Sequence, residues 1–158
     1  MRFSEIVKQS KFSSNQAKAV LNVMYTANWL EDLVRRQLKP YGISHEQYNV
    51  LRILRGNHPD TYALQQIRER MLNRWSNASR LVEKLRKKEY VTRRQSKENR
   101  RKVEIKITDK GLDLLEQIDE EVPMDSLYRE GLSSEEAQTL SENLDQMREK
   151  MGEALEDG

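Results

Sequence analysis

The segment that decides the fold reads Arg74-Trp75-Ser76-Asn77-Ala78-Ser79-Arg80-Leu81-Val82-Glu83-Lys84-Leu85. Its apolar side chains recur at steps of three and four residues, which predicts an amphipathic helix from about Arg74 to Lys88. The opposite face combines small hydrogen-bonding groups with positive charge: Ser76, Asn77, Arg80 and Lys84. These groups match the base edges of the major groove of DNA. A lone basic helix face more often simply faces solvent, so the neighbouring segments decide between the two interpretations.

A shorter helix is expected just before this segment, from about Ala63 to Met71. Leu72 and Asn73 would form the turn between the two helices, with Asn73 as the N-cap of the second. Two short helices joined by a tight turn, the second one basic on its outer face, form a helix-turn-helix pattern.

The period of the apolar residues changes from 3.6 to 2 after Lys88. Residues 90–94 and 103–107 are predicted to be two strands, and the seven residues Gln95–Arg101 between them are polar and basic. A hairpin with a charged tip beside a helix-turn-helix is a wing. Arginines in a wing, here Arg100 and Arg101, suit the phosphates and the adjacent minor groove.

Longer helices are predicted on both sides of this central part. The first runs from about Ser14 to Leu38, after a weakly ordered segment 1–13, and its apolar face is wider than one neighbour requires. Ser44 and Gln47 form a capping box for the helix that follows it, and Ser133 and Glu136 form another before the last helix. That last helix carries leucines and methionines near heptad spacing.

The composition excludes several classes of protein. There is no cysteine, so disulfides and cysteine-ligated zinc are excluded. No run of 18 apolar residues is present and the N-terminus has no apolar core of a secretory signal. We therefore expect a cytoplasmic protein that does not enter a membrane.

The net charge of +2 hides a strong asymmetry. The range 68–110 holds 16 lysines and arginines against six acidic residues, a formal charge of +10. The range 112–158 holds three basic and 15 acidic residues, a formal charge of −12. The middle of the chain is therefore suited to a polyanion, and the C-terminal part would be repelled by one.

Little in the sequence favours an enzyme. His45-Glu46-Gln47-Tyr48-Asn49 begins like a zinc-protease HExxH motif, but Asn stands at the fifth position, where the second ligand belongs. His58 lies in a Gly/Pro-rich loop, and no glycine-rich phosphate loop is present. We expect no catalytic residue, no metal site and no cofactor.

Three stretches together resemble the MarR family of bacterial transcription regulators. They are Ser79-Arg80-Leu81-Val82-Glu83-Lys84-Leu85, Val91-Thr92-Arg93-Arg94, and Arg100-Arg101-Lys102-Val103-Glu104-Ile105-Lys106-Ile107-Thr108-Asp109-Lys110-Gly111. The motifs cover about residues 62–111, and the flanking helices agree in order and rough length. The most specific part is the wing joined to Thr-Asp-Lys-Gly.

The resemblance implies a mainly α fold with a small β-hairpin wing, in which a winged helix-turn-helix is flanked by long dimerisation helices. One domain over 1–158 is expected, with the winged part at 44–111 and the helical dimerisation parts at 14–38 and 112–158. The implied partners are a second copy of the chain and double-stranded DNA with a pseudo-palindromic operator. The implied function is that of a sequence-specific regulator, more often a repressor than an activator.

The residues that the resemblance and the helix face assign to DNA lie in the recognition helix and the wing: Arg74, Ser76, Asn77, Ser79, Arg80, Lys84, Asn99, Arg100 and Arg101. Asn99 replaces an Asp that the family has beside its wing arginine, and Glu89 stands where the family usually has Gly. In many relatives a pocket takes a small aromatic effector; here Tyr25, Trp29, His45 and Tyr48 are candidates for its lining, although ordinary packing explains them as well.

One alternative function stays open. A helical protein-interaction module could keep the winged-helix fold without specific DNA readout. Such a module would not need so many cations on one side, and this is the feature that distinguishes the two hypotheses.

Overall fold

The computed structural model of the chain describes residues 2–95 and 103–156. Eight α-helices, one 3₁₀ turn and three short strands occur in these ranges. The helices are α1 Phe3–Ile6, α2 Asn15–Leu38, α3 His45–Arg55, α4 Leu64–Arg70, α5 Ala78–Lys87, α6 Asp109–Glu121, α7 Met124–Gly131 and α8 Ser134–Glu156, with the 3₁₀ turn at Lys39–Tyr41. The strands are β1 Tyr62–Ala63, β2 Val91–Gln95 and β3 Val103–Ile107. The mainly α fold with a small β wing is therefore confirmed.

The three strands form one antiparallel sheet in the order β1-β3-β2. Val91 pairs with Ile107 and Gln95 pairs with Val103, so β2 and β3 form the predicted hairpin. Tyr62 pairs with Ile105, which ties the segment before α4 to the same sheet. Strand β1 was not predicted, because two residues carry too little periodicity to indicate a strand.

Serine side chains cap the starts of α2, α3 and α8, and the capping boxes of α3 and α8 were predicted. Ser14 accepts the backbone N–H of Ala17 and begins α2. Ser44 and Gln47 make the reciprocal capping box of α3, and Ser133 and Glu136 make the same exchange before α8. The helices α1 and α7 were not predicted; the expectation of a weakly ordered segment 1–13 is wrong for Phe3–Ile6, which form a helical turn.

The contacts divide the chain into two compact units, residues 1–118 and 119–158. In the first unit, α3, α4, α5 and the sheet bury one apolar core. Its fully buried side chains are Val50, Leu51, Leu54, Ile67, Val82, Leu85, Ile105, Leu115 and Ile118. Burying each of these contributes about 1.5–3 kcal/mol, so this core fixes α5 against the sheet. The second unit contains α7 and α8, whose described residues are all at least partly exposed in the single chain.

Among residues 2–95 and 103–156, none of the helices is both long and apolar enough to cross a lipid bilayer.

Candidate nucleic-acid interface

The start of α5 differs from the prediction. The helix begins at Ala78 and not at Arg74, because Asn77 is its N-cap and accepts the backbone N–H of Arg80 at 3.0 Å. Ser76 and Asn77 therefore precede the helix instead of lying on its face. Trp75 does not belong to the buried stripe either: it is 97% exposed.

A turn held by Asn73 carries these residues to the helix. The side-chain oxygen of Asn73 accepts the N–H of Trp75 at 3.1 Å, and its backbone carbonyl accepts the N–H of Ser76 at 3.2 Å. Asn73 was predicted to cap the helix, and this prediction is wrong, because Asn77 supplies the cap four residues later. Asn73 instead organises the loop that presents Arg74, Trp75 and Ser76.

The cap restricts what Asn77 can do at a base. A bidentate Asn–adenine contact uses both the amide oxygen and the amide NH₂. The Asn77 oxygen accepts the Arg80 N–H with one of its two lone pairs, so the second lone pair and the NH₂ group remain available. In this conformation a bidentate base contact by Asn77 has to share its oxygen with the helix cap.

The outer face of α5 carries cations without acidic partners. Ala78, Val82 and Leu85 point into the core, whereas Arg80 and Lys84 are exposed. Within the described ranges, no carboxylate lies at ion-pair distance from Arg74, Arg80 or Lys84. Ser79 is partly buried beside Arg80. These three cations are therefore free to meet an anion.

A different arginine on the same helix is paired. Arg86 donates to the Glu83 carboxylate through two nitrogens, at 3.0 and 2.8 Å. This hydrogen bond lowers the pKa of Glu83 and raises that of Arg86. Arg86 is therefore neutralised by a carboxylate, unlike Arg80 and Lys84 on the same helix.

The wing adds further exposed cations. Arg93 and Arg94 are exposed on β2, and Arg94 lies opposite Glu104 of β3. The wing-tip residues assigned from the sequence, Asn99, Arg100 and Arg101, lie outside the described residues.

The junction between α5 and the wing explains the Thr-Asp-Lys-Gly motif. The Thr108 hydroxyl donates to the Glu89 carbonyl at 2.7 Å, and the Thr108 hydroxyl oxygen accepts the N–H of Gly111 at 3.1 Å. Lys110 binds the Glu89 carboxylate at 2.9 Å and lies over the ring of Tyr90. A Cβ atom on Gly111 would lie 2.4 Å from the Tyr90 carbonyl oxygen. The motif thus locks the end of α5 to the base of the wing.

Glu89 adopts a left-handed backbone with φ of 65°. Its N–H bonds the Arg86 carbonyl and the N–H of Tyr90 bonds the Leu85 carbonyl, the two bonds of a Schellman helix end. Such an end favours glycine, which is the residue that the MarR resemblance expects here. The hydrogen bond from Lys110 lowers the pKa of the Glu89 carboxyl group.

A cavity of about 560 Å³ lies between α2, α3 and the turn before α5. His45 lines it, together with Glu46, Leu30 and Arg74. A hydrogen bond from Ser44 lowers the pKa of Glu46, which keeps that carboxylate charged.

The other three candidates for an effector pocket lie elsewhere. Tyr25 contacts the ring of Phe3, with 6.0 Å between ring centres, Trp29 is half-exposed on α2, and the Tyr48 hydroxyl accepts a hydrogen bond from Arg52. The structure therefore places only His45 of the four in this cavity. Leu72 and Trp75, which the sequence did not suggest for a pocket, also line it.

Metal binding finds no support in the described part of the chain, where no three His, Asp or Glu side chains are grouped so that they could hold an ion. His45 and His58 were the only histidines available for such a group.

Comparison with known proteins agrees with this geometry. A family model described as the MarR family matches residues 43–103. A MarR transcription factor from Planctomyces limnophilus is 31% identical over 87% of this chain and 98% of its own, with a TM-score of 0.64. No curated protein sequence matches the chain.

Two more distant solved structures share the fold. One is MepR from S. aureus in complex with DNA, at 20% identity and a TM-score of 0.73, over 87% of this chain and 99% of its own. The other is a cysteine-to-serine mutant of MarR from E. coli complexed with operator DNA, at 23% identity and a TM-score of 0.72, with the same coverage. The identity and coverage of the Planctomyces limnophilus protein, together with the winged helix-turn-helix built by α4, α5 and the sheet, show that this chain is a member of the MarR family.

Proposed function

We propose that this chain is a homodimeric, sequence-specific DNA-binding transcription regulator that acts as a repressor. The observation that carries the proposal is the exposed start and outer face of α5, where Arg74, Arg80 and Lys84 have no carboxylate partner among the described residues. The positive charge of the range 68–110 continues this surface into the wing. Both solved relatives with DNA in their crystals share the fold, which supports the same use of the surface here.

We assign the contacts by the geometry of each group. Arg80 reads a guanine edge, Ser76 and the NH₂ group of Asn77 donate to base acceptors, and Lys84 neutralises a phosphate. Arg74, in the turn before α5, and Ser79, next to Arg80 on the helix, support these contacts. Asn99, Arg100 and Arg101 are assigned to the wing tip and the minor groove from the family resemblance alone.

Dimerisation is supported by apolar side chains that the single chain leaves exposed. In the first unit, α2 exposes Leu21, Met24, Tyr25, Trp29 and Leu30. In the second unit, α8 exposes Leu140, Met151 and Leu155. Exposed apolar surface on this scale favours a protein interface. Two copies would place two recognition helices about 34–36 Å apart on a pseudo-palindromic site.

Release from DNA by a small ligand is the finer part of the proposal. The cavity that His45 lines borders both α2 and the turn with Trp75 and Arg74. An occupant there would contact the dimerisation helix and the start of the recognition helix at once. Such a ligand acts only if it binds the DNA-competent form less tightly than the other form.

The test begins by selecting bound sequences from a random duplex pool, and then compares affinities for the selected site and a scrambled duplex. We expect a palindrome, and we expect Arg80→Ala to lose about 1–3 kcal/mol of discrimination, roughly five- to 150-fold, because a bidentate base contact is removed. Arg86→Ala is the matched control, since Arg86 lies on the same helix but is bound by Glu83.

Two results would contradict the proposal. Discrimination that is unchanged in Arg80→Ala would reject this residue as a reader of sequence. A pool from which no motif emerges would favour the alternative, a winged-helix module that binds protein without specific DNA readout.

A further inference from the structure

A second concave surface lies at the other end of α5, and the proposed DNA contacts use only one of its residues, Lys84. It is a groove of about 850 Å³ bounded by the end of α2, the 3₁₀ turn, the start of α3 and the last turns of α5. Six of its lining residues are cations: Arg35, Arg36, Lys39, Lys84, Lys87 and Lys88. None of its described lining residues is acidic. We call this set the basic groove.

Most of these cations have no acidic partner. Arg35 pairs with Asp32, and Lys88 donates to the Gly42 carbonyl, which leaves two more donors on its ammonium group. In residues 2–95 and 103–156, no carboxylate lies at ion-pair distance from the remaining four: Arg36, Lys39, Lys84 and Lys87.

Two other acidic groups on the bordering helices are already engaged. Glu83 is bound by Arg86, and Glu46, in the first turn of α3, is held by a hydrogen bond from Ser44. These carboxylates therefore offset the charge of the groove only in part.

Helix ends explain part of the arrangement, but not the convergence. Cations are favoured at the C-terminal ends of α2 and α5, where the helix dipole is negative. Here both ends meet at one concavity, beside the positive N-terminal end of α3 with its Ser44–Gln47 capping box. Like charges held together repel one another and destabilise the folded state. A bound anion would remove this repulsion.

The shape and chemistry of the groove define its occupant. Lysine and arginine together are the usual ligands of phosphate, and the volume is that of a small-molecule site. No aromatic ring lines the groove, so it offers no stacking surface for a base. Lys87 and Lys88 lie about 10–12 Å along α5 from Arg80, toward the end of the helix opposite to Asn77.

We propose that the basic groove binds a small anion with two or more phosphate groups, as a regulatory ligand of the free protein. Lys84 belongs both to the groove and to the outer face with Arg80, one helical turn away. The ligand would therefore compete with a DNA phosphate for one cation, and through the other five it would hold together the end of α2, the 3₁₀ turn and the end of α5.

The experiment is a calorimetric titration of the full chain, without DNA. The ionic strength is held at about 0.15 M, so that salt screens the charges equally for every probe. Sodium tripolyphosphate, pyrophosphate and orthophosphate serve as probes. Affinity is expected to rise with each added phosphate. The double variant Lys39→Gln/Lys87→Gln is expected to bind tripolyphosphate at least about tenfold more weakly.

The control is Lys11→Gln/Lys150→Gln, which removes the same charge from exposed positions outside the groove. It is expected to change the affinity by less than about twofold. Circular dichroism melting of both variants checks that each is folded.

Several results would overturn the proposal. One is the absence of tripolyphosphate binding below about 1 mM, and another is an equal loss in both double variants, which would show an effect of net charge alone. A third is that tripolyphosphate does not bind, whereas the affinity for duplex DNA falls in the Lys39→Gln/Lys87→Gln variant. The groove would then bind the phosphates of the DNA backbone. Because the titration contains no DNA, its failure leaves the proposed DNA readout untouched.

Discussion

Single residues at the end of α5 fix how the recognition helix meets the wing. Glu89 holds a backbone conformation that costs a side chain with a Cβ atom more than it costs glycine. Its carboxylate forms an ion pair with Lys110, and its backbone carbonyl accepts a hydrogen bond from the Thr108 hydroxyl. This position therefore combines a strained backbone with two contacts that hold it in place.

Glu89→Gly is expected to raise the melting temperature by about 2–4 °C, because the left-handed strain disappears and the exposed ion pair contributes little. The matched control is Glu89→Ala, which loses the same carboxylate but keeps the Cβ atom. Thermal melting at equal protein concentration measures both. If the glycine variant melts no higher than the alanine variant, the backbone is not the source of the strain.

At the scale of elements, a helix is connected to a hairpin through one very close approach. Gly111, in the first turn of α6, packs directly against the Tyr90 carbonyl and the Ile107 side chain. The same carbonyl accepts the N–H of Thr108 at 3.1 Å, so it cannot move without breaking that bond. The strands, α5 and α6 are thus held at one point.

Gly111→Ala is expected to destabilise the fold by about 1–3 kcal/mol, because a Cβ atom 2.4 Å from a carbonyl oxygen and 2.8 Å from Ile107 forces the backbone to shift. Gly152→Ala serves as the control. Apart from its chain neighbours and the adjacent backbone of its own helix, no atom lies within 4 Å of the added methyl group, and alanine is favoured over glycine inside a helix. Urea unfolding of both variants at one protein concentration gives the comparison; equal stability of the two would show that the junction can relax.

Local pattern predicted most elements but not their nonlocal partners. Capping residues such as Ser44 and Ser133 act on their own helix, so the sequence was enough to find them. Strand β1 depends on pairing with Ile105, some forty residues away, and the local spacing of apolar residues does not indicate this pairing.

The candidate site was predicted in part for the same reason. The exposed cations Arg80 and Lys84 follow from helical spacing. The start of α5 does not, because Asn73 and Asn77 are equally good caps by residue type and only the fold selects between them. The basic groove was not predicted either, since it joins residues from 35 to 88 through packing.

At the scale of the whole molecule, the proposed regulator depends on pairing two chains. Met24 and Trp29 are more than half exposed on α2, and neither lies in the core of the first unit. Met24→Glu is therefore expected to leave the monomer folded and to weaken the dimer, since a charge buried at an interface is costly. The control, Gln37→Glu, adds the same charge at an exposed polar position of α2.

Sedimentation at micromolar concentration measures the result. The unchanged chain is expected at twice its mass of 18.7 kDa, and Met24→Glu is expected to shift toward that single-chain mass. Affinity for the palindrome should fall with it, because each monomer holds one half-site. A single-chain mass for the unchanged protein would contradict the dimer.

Because Trp75 is exposed and lies on a different element from Trp29, the fluorescence of the two tryptophans can report on two different events. The chain has two tryptophans, of which Trp29 lies on the helix proposed for pairing and Trp75 projects beside Ser76. With Trp29→Phe, the remaining indole emission comes from the edge proposed to enter the DNA groove, and with Trp75→Phe it comes from α2, the helix proposed for pairing. Subunit association and duplex binding can then be followed as two separate fluorescence changes, without an added label.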